Sequence, residues 1–183
     1  MSSTIDTITG RISPVKLTEP APTAQQREIL LQAACSAPDH GRLQPWRFTF
    51  IEGAARERLG DLMAASLQRR EPQAAVDKLQ AERAKALRAP LIVVAAAQIQ
   101  VGKVPAVEQA VATGAAVQNM MLAAHALGLG AFWRTGAVVY DEAFKQAFGL
   151  SAQDTIVGIV YIGTIGAAGR ARDAMNPSVH TNW

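Results

Sequence analysis

The order of apolar and polar positions predicts helices along most of the chain. Thr23 and Gln26 stand at the spacing of a capping box, and apolar residues recur at helical spacing after them, which predicts a helix ending before Pro38. Over 56–68 and 74–87, charged residues on one side and alanine or leucine on the other predict two more helices. The remaining predicted helices cover 4–9, 106–127 and 142–148.

Runs of β-branched and aromatic residues between these helices predict strands over 48–51, 91–96 and 156–164. Because the strands are few and separated by helices, the pattern predicts an α+β fold in which helices pack on a small sheet. The whole chain, 1–183, is expected to form a single domain. Its last part, 165–183, is expected to be an extended arm too polar to fold alone, which favours a homodimer.

The segment 106–127 carries apolar or small residues on nearly every face, so we expect protein to cover this helix on most sides. Polar residues such as Glu108 and His125 interrupt it too often for a membrane span, and no membrane is expected as a partner. Gly128 and Gly130 are expected to end the helix by adopting positive φ.

Charge argues against a nucleic-acid partner. The formal net charge is +3, and the basic residues are spread along the chain. Arg69 and Arg70, and the group Arg83, Lys85 and Arg88, are interpreted as solvated helix faces. A nucleic-acid site would need denser basic clusters with interleaved aromatic residues.

Cys35 is the only cysteine, so an intramolecular disulfide cannot form and a reducing compartment is expected. This cysteine is expected on a packed helix face rather than as a catalytic thiol. Residues 1–9 lack the basic and then apolar pattern of a signal peptide, which favours a cytoplasmic location.

A polar, proline-containing loop over 37–46 is the most informative candidate for a binding site. It holds Pro38, His40, Gln44 and Trp46 within ten positions. Prolines fix φ, so such a loop is stiff and can hold its polar side chains around a planar ligand. Alternatively, His40 is a structural histidine bonded to a loop carbonyl. Trp46 is expected to pack the loop against the core.

Several stretches of the chain form an ordered set of short motifs. Ala37-Pro38-Asp39-His40 and then Gln44-Pro45-Trp46 lie between a predicted helix and a predicted strand. Further stretches agree in order along the chain. They are Arg11-Ile12-Ser13, Lys103-Val104-Pro105 with Glu108-Gln109, Phe132-Trp133-Arg134-Thr135-Gly136, and the strand over 156–164. As an ordered set they are similar to the short, single-domain branch of NAD(P)H nitroreductases that bind FMN.

The resemblance implies a nitroreductase-like fold, in which helices pack on a small mixed central sheet around a long buried helix. It also implies an intertwined homodimer with FMN at the subunit interface. The implied enzyme takes hydride from NADH or NADPH by a ping-pong mechanism and reduces a nitroaromatic, quinone or similar small acceptor. Because the flavin ring carries the electrons itself, no catalytic side-chain set is expected. No metal site is expected either, since His125 and His180 lack a second ligand at metal spacing.

Arg11 and Ser13 are the candidates for binding the FMN phosphate, through a guanidinium and a hydroxyl. Family members carry Arg-Arg-Ser here, so Ile12 stands where a second arginine is usual, and Val15 stands where a basic residue is common. Alternatively, Arg11 caps the preceding helix and Ser13 begins a turn. Arg170, on the arm, is a second candidate phosphate ligand because of its position after the last strand.

The resemblance also assigns flavin contacts to the proline loop and its surroundings. Ser36 stands where a ligand-contacting residue occurs in relatives, although its side chain is short. Gln44 is a candidate for bonding the ribityl chain or the ring. His40 resembles the family histidine that reaches from one subunit toward the flavin of the other.

The stretch Trp133, Arg134, Thr135 and Gly136 is assigned to the flavin ring. Gly136 lets the backbone pass close to a flat ring, and a backbone N–H in this turn is implied to bond N5. Alternatively, this is an edge strand whose Trp133 fills a surface groove and whose Arg134 is solvated.

Other functions remain open from the sequence. One is an enzyme on the same scaffold that performs reductive dehalogenation or consumes flavin itself. Another is a flavin-binding or redox-sensing protein without turnover, which Ile12 and Val15 favour. A structural dimer without a ligand is the third.

Overall fold

The computed structural model describes residues 3–167 and residue 169. The helices are α1 (Thr4–Gly10), α2 (Ala24–Cys35), α3 (Ala55–Arg70), α4 (Val76–Ala84), α5 (Ala106–Ala126) and α6 (Glu142–Ala147). The strands are β1 (Lys16–Thr18), β2 (Trp46–Glu52), β3 (Leu91–Ala97), β4 (Gly130–Arg134) and β5 (Thr155–Ala167). Short 3₁₀ turns cover His40–Arg42, Lys85–Leu87 and Ala137–Tyr140. All the predicted helices and strands are confirmed; β1 was not predicted, and β4 was predicted only as the edge-strand alternative for Trp133 and Arg134.

Local signals in the sequence account for several of the helix ends. Thr23 Oγ1 accepts the Gln26 amide at 3.2 Å and Gln26 Oε1 accepts the Thr23 amide at 2.9 Å, so the predicted capping box at α2 is confirmed. Gly128 adopts φ +74° directly after α5, as predicted for its C-terminus. Gly130 instead begins β4 without a positive φ, and a Cβ at this position would lie 2.4 Å from Leu17 Cδ2.

The strands form one sheet in the order β1-β5-β3-β2, and β4 also pairs with β5. The four strand pairs among the described residues are all antiparallel, which confirms the α+β class but differs from the mixed sheet that the resemblance implied. Between β2 and β3, helices α3 and α4 form a hairpin. This hairpin brings the start of β3 back to the end of the sheet at which β2 stops, so the two strands are antiparallel.

Helices cover both faces of the sheet, so β3 is buried at every position. One core cluster joins the sheet to α3 and α6 and contains Leu59, Phe144 and Ile159. The other joins the opposite face to α2 and α5 and contains Leu30 and Met120. Each of these side chains is nearly or fully buried, and such burial stabilises the fold by about 2 kcal/mol per side chain.

Helix α5 is buried or half-buried along most of its length. Residues such as Ala116 and Met120 are buried against the sheet, and the exposed positions are 106–108, 111 and 126, among them Val107 and Val111 at 66% exposure each. The expectation that protein covers this helix on most sides is therefore confirmed over 112–125, whereas the N-terminal part of the helix has an exposed face. Cys35 is also exposed, contrary to prediction, because Leu30 and Ala34 form the buried side of α2. In the described part of the chain, no helix has the length and hydropathy to cross a bilayer.

Candidate functional site

Strand β4 carries the predicted ring-binding stretch along the edge of the sheet. Among the described residues it pairs only with β5, from Gly130 opposite Gly163 to Arg134 opposite Ile159. The indole Nε1 of Trp133 donates to the Val157 carbonyl oxygen at 3.2 Å, and the ring packs against the α5 side of the core. The edge-strand alternative is thus correct for the position of this stretch.

A cavity of about 200 Å³ lies where β4 ends. Apolar side chains, among them Met63, Leu67 and Ile159, line its inner part. Polar and backbone groups line the rest. They belong to Arg70, Glu82, Lys85, Arg134, Thr135, Gly136 and Tyr161. The cavity thus combines an apolar wall with a surplus of positive charge, beside the predicted stretch 133–136.

Gly136 gives this cavity an accessible stretch of backbone. Its φ is +132°, a conformation that favours glycine, and no atom lies within 4 Å of the position that a Cβ would take. Thr135 and Gly136 are both exposed. A flat ligand can therefore approach this backbone closely, and the contact of Gly136 with a flavin ring stays a prediction.

Two of the cavity residues come from the helical hairpin and had been interpreted as solvated. Lys85 forms an ion pair with Glu82, and these side chains are 37% and 14% exposed. Arg70 ends α3 and lines the same cavity. The return of the hairpin to the sheet brings both residues to the end of β4. The solvated interpretation is wrong for Lys85, which is half-buried, and holds for Arg70, which is exposed. Spacing along the chain carries no signal for this contact.

Tyr161 adds a hydrogen-bond donor to the cavity wall. Burial raises the pKa of its phenol, and the nearby Arg134 guanidinium opposes this only in part. The phenol is therefore protonated at neutral pH. It lies on β5 in an apolar run that the sequence identified only as a strand.

The predicted phosphate ligands lie at the other end of β4. Arg11 Nη1 donates to Ser13 Oγ at 3.4 Å, and both residues, like Ile12, are half-buried. A Cβ on Gly130 would lie 2.9 Å from Pro14 Cγ, so this segment packs beside the start of β4. At about 3.3 Å per residue, β4 separates this end from the cavity by about 13 Å. Arg11 is also the C-cap residue of α1, as the alternative stated.

Side-chain and backbone hydrogen bonds hold the proline loop, as its composition predicted. Asp39 Oδ2 accepts the Gln44 amide at 2.5 Å, and Gln44 has a positive φ of 48°. Gln100 Nε2 donates to the Leu43 carbonyl oxygen at 2.7 Å. The buried Gln109 side chain in turn bonds the backbone of Gln100 through both its oxygen and its nitrogen. Trp46 packs against the core, as predicted.

His40 is bonded to a carboxylate and not to a loop carbonyl. Its Nδ1 lies 2.5 Å from Glu108 Oε2 at the start of α5, and its side chain is 69% exposed. The pair borders a groove of about 310 Å³ whose other walls include Val107 and Val111. The carboxylate fixes the imidazole with Nε2 directed away from Glu108. Glu108 belonged to a recognised motif, but its role as partner of His40 was not predicted.

The remaining candidates lie apart from the β4 cavity. Ser36 is the C-cap of α2, where its hydroxyl donates to the Ala33 carbonyl oxygen at 2.8 Å. It borders a groove between α1, α2 and α5. Arg170 lies outside the described residues. Within one chain, the cavity beside Gly136 and the groove beside His40 are lined by different residues.

Comparison with known sequences identifies the family. The sequence model of the nitroreductase family matches residues 8–164. An Escherichia coli K12 protein named "Putative NAD(P)H nitroreductase YdjA" is 40% identical over 162 residues, which cover 87% of each chain. A Haemophilus influenzae protein named "Putative NAD(P)H nitroreductase" is 38% identical over 159 residues, covering 86% of this chain and 85% of the relative.

Solved structures agree with this match. A nitroreductase-like family protein from Bacillus cereus superposes with a TM-score of 0.84 at 26% identity, covering 100% of this chain and 96% of that one. A Desulfovibrio desulfuricans protein, described as "a putative nitroreductase in complex with FMN", superposes with a TM-score of 0.76 at 25% identity, covering 100% and 98%. The chain belongs to the nitroreductase family and is an oxidoreductase. The resemblance seen in the motifs and the nitroreductase-like fold are both confirmed.

Proposed function

We propose that this protein is an FMN-dependent enzyme that takes hydride from NADH or NADPH and passes it to a nitroaromatic, quinone or similar small acceptor. One observation carries the proposal. Strand β4 joins a guanidinium and hydroxyl pair, Arg11 and Ser13, at its start to a positively charged cavity with an open glycine, Gly136, at its end. Such a site suits an elongated ligand with a phosphate at one end and a flat ring at the other.

The residues present fit FMN at both ends. Arg11 and Ser13 would bind the phosphate, with Arg170 as a further phosphate ligand. The backbone of Thr135 and Gly136 would border the ring, with one N–H directed at N5, and Trp133 holds this backbone against β5. When bound, the flavin accepts and releases the hydride itself, so no catalytic side-chain set is required. The FMN complex of the Desulfovibrio desulfuricans relative supports this assignment.

Lys85 supplies a positive charge that positions 12 and 15 lack. Reduction places negative charge at the N1 and O2 edge of a flavin, and a cation beside that edge favours the reduced form. Ile12 and Val15 stand at positions that are commonly basic in relatives. Lys85, half-buried in the β4 cavity beside Glu82, supplies a positive charge from the helical hairpin instead. Tyr161 supplies a neutral donor to the same cavity.

The proposed enzyme is a homodimer. The outer face of α5 exposes Val107 and Val111, which is unfavourable in water, and a second copy of this face would bury them. The groove with His40 lies on this face, so the dimer places it at the subunit boundary. His40, oriented by Glu108, would then contact the flavin of the other subunit. We also propose Ser36 and Gln44 as flavin contacts, with Ser36 bordering the separate groove between α1, α2 and α5.

The proposed function is tested by loading the protein with FMN and adding NADPH or NADH without oxygen. Bleaching of the flavin absorption, followed by its return on addition of a nitroaromatic or quinone, is the expected result. Parallel lines in initial-rate plots would support a ping-pong mechanism, in which the oxidised nucleotide leaves before the acceptor is reduced. A bound flavin that neither nucleotide bleaches would contradict the enzyme and favour the binding or sensing alternative. Protein that binds no FMN would contradict both.

A further inference from the structure

Two guanidinium groups at the β4 cavity have no carboxylate partner among residues 3–167. Arg70 and Arg134 both line the cavity and are both exposed. The single acidic residue of the cavity wall, Glu82, is already paired with Lys85. Lys85 thus already has an ion-pair partner, whereas Arg70 and Arg134 have none in this part of the chain.

The Arg134 guanidinium is held in place before any ligand arrives. Its Cζ lies 4.4 Å from the centroid of the Phe132 ring on the same strand, which is the geometry of a cation–π contact. A guanidinium held in this way loses little conformational freedom when it binds an oxyanion. Arg70 faces the same space from the end of α3.

The size and walls of the cavity restrict what it accepts. Its volume is about 200 Å³. An apolar cavity of about 150 Å³ is sufficient for a benzene molecule, so one aromatic ring of an acceptor fits here. Met63, Leu67 and Ile159 provide the apolar contact for such a ring.

Resting on the proposed function, we propose that Arg70 and Arg134 form an anion subsite for the molecules that exchange electrons in this cavity. The ligand group is a carboxylate or a phosphate, which guanidinium groups bind through paired hydrogen bonds. Two sources carry such a group. One is a single-ring aromatic acceptor with a carboxylate, and the other is the 2′-phosphate that distinguishes NADPH from NADH.

The kinetic test uses Arg70→Gln, Arg134→Gln and the double variant, all loaded with FMN. Each is compared on NADPH against NADH, and on 4-nitrobenzoate against nitrobenzene. In one of the two pairs, we expect KM to rise about tenfold for the substrate that carries the additional anionic group, NADPH or 4-nitrobenzoate. The KM for the other substrate of that pair, NADH or nitrobenzene, should change little. A selective loss with NADPH assigns the subsite to the phosphate, and a selective loss with 4-nitrobenzoate assigns it to the carboxylate. Equal effects within both pairs overturn the proposal.

The matched control is Arg83→Gln. Arg83 lies on the same hairpin and pairs with Asp61 at 2.6 Å, and it does not line the cavity. We expect this variant to keep both substrate preferences. Arg70→Lys, which keeps the charge but loses the fork of donors, should recover part of the lost preference.

A binding measurement separates failure of the subsite from failure of the proposed function. Benzoate, which accepts no electrons here, is titrated into FMN-loaded wild type and the double variant while the flavin spectrum is followed. A perturbation in the wild type that weakens about tenfold in the double variant supports the subsite. The subsite alone would be overturned if FMN binds and is bleached by NADH normally, while both proteins bind benzoate equally and the variants keep their substrate selectivity. If FMN does not bind, the proposed function fails, and the thermal shift produced by benzoate in both proteins decides the subsite.

Discussion

The indole of Trp133 occupies the space that a side chain on Gly158 would need. A Cβ added to Gly158 would lie 1.9 Å from Trp133 Nε1, a distance at which one of the two must move. The same Nε1 donates to the carbonyl oxygen of Val157 at 3.2 Å. A glycine on β5 thus fixes the end of β4, and with it the backbone of Thr135 and Gly136 at the cavity.

Gly158→Ala should displace the indole and disturb both stability and flavin binding. Overpacking of this kind costs about 1–3 kcal/mol, which thermal or urea unfolding measures. Tryptophan fluorescence should shift as Trp133 moves, and FMN should bind more weakly. Gly102→Ala is the control, since no atom lies within 4 Å of a Cβ at that position. Wild-type FMN affinity in Gly158→Ala would show that this packing does not position the site.

Arg11→Ala should weaken FMN binding and leave riboflavin binding unchanged. Riboflavin lacks the phosphate, so the comparison isolates the phosphate contact. Loss of hydrogen bonds to a charged group corresponds to a rise in the Kd for FMN of about tenfold or more. Arg27→Ala, which removes an arginine paired with Glu52 on another surface, is the control. Equal losses for both ligands would contradict the assigned phosphate contact.

Lys85→Met should make the bound flavin harder to reduce. Removing a positive charge beside the flavin destabilises the reduced form, and a two-electron midpoint potential lower by about 30 mV corresponds to about 1.4 kcal/mol. Redox titration of the FMN-loaded protein measures this potential. Lys78→Met removes a lysine that pairs with Glu71 and does not line the cavity, so it should leave the potential unchanged. An unchanged or higher potential in Lys85→Met would place this lysine away from the ring.

We expect the charged Asp141 side chain to stabilise the fold at neutral pH and to lose this effect in acid. Burial pushes the pKa of this carboxyl upward, but hydrogen bonds from Arg69 and the Phe144 amide outweigh burial and lower it from 3.8 to about 2. Because the folded pKa lies below the unfolded pKa, the stabilisation is fully present above about pH 4. It is lost as the pH falls through about 2. A shift of this size corresponds to about 2 kcal/mol.

The measurement is the free energy of unfolding of wild type and Asp141→Asn between pH 7 and pH 2. The two proteins should differ most at neutral pH and converge as the pH falls, since protonation removes the same charge. Asp77→Asn, at an exposed position on α4, is the control. A difference that stays constant with pH would mean that the charge of Asp141 does not stabilise the fold.

Elements with a local signal could be predicted from the sequence. The Thr23 and Gln26 capping box, the positive φ of Gly128 and the fully apolar strand β3 each depend on neighbouring residues, and all three are confirmed. Strand β1 carries no such signal. Its three residues pair with β5, which lies far away in the sequence, so tertiary contacts alone make it a strand.

The candidate site was partly predictable for the same reason. The stretch from Trp133 to Gly136 carries its own signature, and the structure places it beside a cavity. The place of Arg70 and Lys85 beside β4 could not be predicted, because spacing along their helices does not show that the hairpin of α3 and α4 returns to that strand. Because α5 has apolar or small residues on nearly every face, its sequence likewise did not show which face packs on the core and which face exposes Val107.

A crystal structure of the FMN-bound protein tests the central claim most directly. We predict that the phosphate lies against Arg11 and Ser13, that the flavin runs along β4, and that N5 faces the backbone of Thr135 and Gly136. A phosphate bound elsewhere, or a ring that does not contact Gly136, would contradict the account.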